Sequence, residues 1–117
     1  MLVNEDTNIK EIFIEILKNK EEHEWVREGM ARGLYSLVEE DTKIKEIFIE
    51  ILKNKGENER VRTSVARGLY SLVREDTKIK EIFDMILEDK NESKELKEII
   101  RGYMYKPKNF KTPLTIF

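Results

Sequence analysis

The chain repeats itself every 35 residues. Asp6, Asp41 and Asp76 occupy one position of the period, while Phe13, Phe48 and Phe83, and Leu17, Leu52 and Leu87, occupy two others. Residues 5–39 and 40–74 are identical at about three quarters of their positions. A period between about 20 and 50 residues marks an array whose unit is one supersecondary element. Such a unit is too small to bury its own apolar face, so about three must stack to make a core. The units read as residues 5–39, 40–74 and 75–105, one array over residues 1–105, with residues 106–117 as a separate tail.

Each unit contains two amphipathic stretches. Ile9, Ile12, Phe13, Ile16 and Leu17 fall at i, i+3, i+4, i+7 and i+8, the spacing of one helical face, and the stripe returns near 42–54 and 77–89. The Asp-Thr pair before each stripe offers a short acceptor to the free N–H groups of a first turn. A polar segment follows, Asn19 to Glu24 in the first unit and Asn54 to Glu59 in the second, and reads as a loop. The second stretch carries Val26, Met30, Gly33, Leu34 and Leu37, repeated as Val61, Val65, Gly68, Leu69 and Leu72. A glycine inside a helix costs about 1 kcal/mol relative to alanine, so Gly33 and Gly68 on the apolar stripe predict a neighbouring helix at close range. Only Glu39-Glu40-Asp41-Thr42 leads to the next first helix, without glycine or proline, which predicts a tight turn.

The two ends differ from the middle. Leu2 and Val3 match Leu37-Val38 and Leu72-Val73, so the chain starts where a preceding second helix would finish. The expectation is a larger parent array or a homo-oligomer joined through that end. In the third unit Leu96, Ile100 and Met104 continue the stripe, Tyr103 replaces the glycine, and Asp84 replaces the flanking Ile14 and Ile49. A carboxylate at that flank suits a unit with no other stacked after it. From Lys106 to Phe117, two prolines and no helical period predict an extended C-terminal tail. Its Phe110, Leu114, Ile116 and Phe117 would lie over the apolar end of the array or on a partner.

At 117 residues the chain is long enough for one core. Charged residues make up 39% of it, but the net charge is only −2, so any preference for a charged partner must be local. The absence of cysteine excludes disulfides and thiolate chemistry and suits a reducing compartment, so the expected location is cytoplasmic. No stretch approaches the roughly 18 apolar residues of a membrane span, and Met1 to Asp6 lack the pattern of a leader, so the chain reads as neither exported nor membrane-bound.

Val26-Arg27 followed by Ala31 and Leu34, and more fully Val61-Arg62-Thr63-Ser64-Val65-Ala66-Arg67-Gly68-Leu69, resemble the second helix of HEAT repeats. The likeness is to the short HEAT-like kind first noted in phycobilisome lyases, and it runs from residue 5 to about residue 105. It implies an all-α fold, a right-handed α-α superhelix (α-solenoid) of about three two-helix repeats. It also implies a scaffold or protein-binding role, sometimes nucleic-acid binding, since a fold of this kind does not by itself name a function. The loop before the second helix is longer than in that family and lacks its usual aspartate.

The outward face of the second helix carries the candidate site. Residues placed 100° apart put Trp25, Glu28, Arg32 and Tyr35 together, then Arg60, Thr63, Arg67 and Tyr70, with Tyr105 completing a row of tyrosines. Tyrosine, tryptophan and arginine dominate binding hot spots, so this face is expected to form a groove for a protein segment. Alternatively, the tyrosines seal the joints between units. A second functional reading uses Arg60, Arg62, Arg67 and Arg74 to hold phosphate or nucleic acid, although Glu28, Glu95 and Glu98 interrupt that patch. Arg27 and Arg62, on the flank, are expected to pair with neighbouring acids. His23 is the single histidine and lies in a polar loop, and Ser36 and Ser71 lack a base. No catalytic residue, metal or cofactor is expected, and the chain does not read as an enzyme.

Overall fold

The computed structural model describes residues 7–104. It is all-helical over them, with α1 Thr7–Lys18, α2 Glu24–Leu34, α3 Thr42–Lys53, α4 Glu59–Leu69, α5 Thr77–Glu88 and α6 Lys94–Met104. The tail assigned to residues 106–117, together with Leu2, Val3, Asp6 and Tyr105, lies outside the described residues.

The helix starts are set by caps that recur with the period. Asp41 accepts the Ile44 N–H at 3.2 Å and Asp76 accepts the Ile79 N–H at 3.2 Å. The second helices are capped by His23, Asn58 and Ser93, whose side chains accept the N–H groups of Trp25, Val61 and Leu96. Each cap satisfies a donor that no helical carbonyl can reach, and replacing one by alanine costs about 1 kcal/mol. After α2 the chain tightens into a single 3₁₀ turn, Tyr35–Leu37, and the N–H groups of Glu40 and Asp41 both close onto the Leu37 carbonyl. That double acceptance reverses the chain in the expected short space without glycine.

The helices pack in consecutive pairs, α1 with α2, α3 with α4 and α5 with α6, and α4 lies between α2 and α6. Phe48, Phe83, Leu17, Leu34, Leu52, Leu69 and Leu96 are completely buried. The middle pair is covered on both sides, and this shows in residues that share a period position. Ile12 is 52% exposed where Ile47 and Ile82 are 7%, and Val26 is 40% exposed where Val61 is 0%.

Close approach at glycine is seen where it was expected. A Cβ on Gly68 would sit 2.6 Å from the Phe48 ring and 2.9 Å from Tyr35, and one on Gly33 would sit 2.5 Å from Phe13. Tyr103 stands at the same position of the third unit and stacks on Tyr70, with ring centroids 4.3 Å apart. A tyrosine cannot let a neighbouring helix come as near as a glycine does, and α5 and α6 approach less closely than the first two pairs. Asp84, at the flank where Ile14 and Ile49 are buried, is half-exposed and pairs with Lys80 at 3.2 Å.

Candidate functional site

The second helices α2, α4 and α6 border a groove of about 350 Å³. Glu24 and Glu28 enter it from α2, Glu59, Arg60, Thr63 and Arg67 from α4, and Glu95 and Ile99 from α6. Of the residues expected on the outward face, Trp25 is 63% exposed, and Arg32, Arg60 and Arg67 are also exposed. Glu28 is half-buried and joins Arg32 at 3.2 Å to Arg60 at 3.3 Å. The Arg60 guanidinium reaches back 3.6 Å to Glu24 and lies 5.6 Å from the centroid of the Trp25 ring. Such cation–π contacts contribute about 0.5–1 kcal/mol at exposed sites, so Arg60 holds Trp25 in place and is itself neutralised.

Thr63 turns out differently, and Tyr35 and Tyr70 follow the alternative in which tyrosines seal the joints between units. Thr63 lines the groove but is only 8% exposed, and its hydroxyl donates to the Arg60 carbonyl at 2.9 Å, the back-bond that removes its need for water. Tyr35 and Tyr70 do not stand side by side in an open row. Tyr35 lies over Gly68 and meets Phe48 edge-on at 6.4 Å, while Tyr70 stacks on Tyr103, so each ring closes a joint between pairs. The Tyr35 hydroxyl is buried close to Ser64 and Arg67. Burial pushes this phenol above its ordinary pKa, and the nearby Arg67 draws it back.

The flanking arginines make ion pairs between units. Arg27, 3% exposed, donates its Nε–H to the Leu17 carbonyl at 2.8 Å and its two terminal nitrogens to Glu57 at 2.7 and 3.0 Å. Arg62 repeats this with the Leu52 carbonyl and with Glu92 at 2.6 and 2.9 Å. Burial works to raise the Glu57 carboxyl, but the Arg27 fork and the Asn58 N–H outweigh it and hold the group below its usual range. Arg62 does the same for Glu92 against a burial effect in the opposite direction. With Arg62 inside and Arg60 paired, the arginines of α4 form no continuous cationic stripe.

Residue types alone did not single out Glu57 and Glu92, nor Glu24 and Glu59 in the groove. The signal was present: Glu22, Glu57 and Glu92 stand 35 residues apart in a loop whose other positions mostly vary. Glu24 and Glu59 followed from the caps, which start each second helix earlier than its apolar stripe does.

Among the described residues no group of three His, Cys, Asp or Glu is placed to hold a metal ion, and no helix is long and apolar enough to cross a membrane. No protein-family model, curated protein or solved structure matches the chain.

Proposed function

We propose that the chain is a non-catalytic, cytoplasmic protein-binding module built as a HEAT-like right-handed α-solenoid, and that its second helices present the partner surface. The close approach of α2 and α4, nearer than that of α1 and α3, supports a curved array with the second helices on its inner side. The observation that carries the functional reading is the charge of the groove. Four carboxylates, Glu24, Glu28, Glu59 and Glu95, face two guanidiniums, Arg60 and Arg67, next to the exposed Trp25. An excess of acid repels phosphate and attracts a peptide bearing lysine or arginine, with an apolar side chain against the indole. This favours a protein segment over nucleic acid.

Trp25 is the only tryptophan, so its fluorescence reports directly on this surface. Titration with lysine-rich peptides carrying one aromatic residue should shift that emission. Glu59→Lys and Glu95→Lys should abolish the shift, and random single-stranded DNA or RNA should produce none. Salt-dependent binding of nucleic acid that Arg67→Glu removes, with no peptide response, would replace this reading by the phosphate-binding one.

A further inference from the structure

Two kinds of ion pair recur at both joints between units, and both run in one direction, with the base upstream and the acid downstream. Lys10 meets Asp41 at 2.8 Å and Lys45 meets Asp76 at 3.0 Å, while Arg27 and Arg62 reach Glu57 and Glu92. The arginine position continues as Lys97, and the glutamate position begins with Glu22. Glu22 already has the posture of its counterparts. Its carboxylate accepts the N–H of the next residue, His23, at 3.3 Å, as Glu57 accepts that of Asn58 and Glu92 that of Ser93. Among the described residues no base forms a salt bridge with Glu22, and Lys97 forms none either: the acid it acts on within the chain, Asp89, is already held by Lys55.

Among the described residues, apolar side chains at both ends of the array are left open in the same sense. Ile12 and Val26 are exposed where Ile47 and Val61 are covered by the preceding pair, and Leu87 is only partly buried where Leu17 and Leu52 are completely so. We infer that these faces mate between copies: the α1–α2 face of one chain receives the α5–α6 face of a second, with Lys97 of one copy on Glu22 of the next, extending the internal joint. This contact is head-to-tail and does not close on itself, so further copies can add. It is weaker than the internal joints, because a lysine replaces a forked arginine and Asp84 stands where Ile14 and Ile49 are buried.

Sedimentation equilibrium of the 117-residue chain at increasing concentration tests this. The average mass should rise with concentration, and Asp84→Ile should shift the rise to lower concentration. Glu22→Lys and Lys97→Glu should each weaken association by about tenfold or more, since each sets like charges face to face. A mixture of those two variants should associate again, because each then offers the charge the other lacks. Circular dichroism checks that both remain folded, and Ile12→Asp blocks the same face without touching the ion pair. A monomer mass at every concentration, association indifferent to both charge reversals, or no recovery in the mixture would overturn the inference.

Discussion

Arg27 and Glu57, thirty positions apart and both almost wholly buried, meet through two parallel hydrogen bonds of 2.7 and 3.0 Å. The pair ties α2 to the loop that precedes α4, and the Leu17 carbonyl takes the remaining Nε–H of the guanidinium. One side chain thus joins three segments, and Arg62 does the same at the next joint.

Removing one partner should cost far more than removing both. Arg27→Ala or Glu57→Ala leaves a charge in an apolar joint, and such losses run to about 3–5 kcal/mol. The double replacement Arg27→Met with Glu57→Leu should recover most of that. Urea denaturation curves measure all three, and a double variant no more stable than the singles would show that the charges themselves are required.

Acid should loosen the joints. Glu57 and Glu92 are both held below the ordinary glutamate value of 4.5, so the folded state binds fewer protons than the unfolded one in that range. Their contribution is complete above the ordinary value and drains away as pH falls through the depressed ones. Thermal melts taken downward from neutral pH should therefore show a falling midpoint below about pH 4.5. Glu57→Gln with Glu92→Gln should flatten that slope; an unchanged slope would assign it to other groups.

The five glycines should divide by what surrounds them. Gly68→Ala drives a methyl into Phe48 and Tyr35, both packed between pairs, and should destabilise by about 1–3 kcal/mol. Gly33→Ala meets only the part-buried Phe13 ring, which has more room to move, and should cost less. Nothing lies within 4 Å of a Cβ on Gly29, so Gly29→Ala should stabilise by about 0.5–1 kcal/mol. Differential scanning calorimetry gives the order, and a Gly33 variant worse than the Gly68 one would contradict it.

Asp41 both caps α3 and binds Lys10, so Asp41→Ala should cost about 1–2 kcal/mol. Lys10→Ala keeps the cap and loses only a part-exposed pair, so it should cost clearly less than Asp41→Ala. Equal losses in urea melts would mean that the ion pair, not the cap, dominates.

Much of the fold was legible in the residues. The stripe from Ile44 to Leu52 and the Asp41-Thr42 start define α3 locally, because helix formation depends on neighbours one turn away. Gly68 announced a close approach, and Arg62 an acid partner. The candidate surface was legible only in outline. Thr63 and Tyr35 sit at outward angles on an ideal helix, yet Thr63 is 8% exposed on a helix that packs against both α2 and α6, and the Tyr35 ring is half-buried against Phe48 and Gly68 of the next unit. Helical angle says which way a side chain leaves the axis, not whether another helix waits there.

Sequence alone determined the period, the helices, their caps and their apolar faces, since these follow from interactions a few residues long. The tertiary structure decided what those faces meet. Ile12 and Ile47 have the same neighbours along the chain, yet one is 52% exposed and the other 7%. The difference comes from the helix pair stacked against the second and not the first, because burial belongs to what packs on a side chain from outside its own segment.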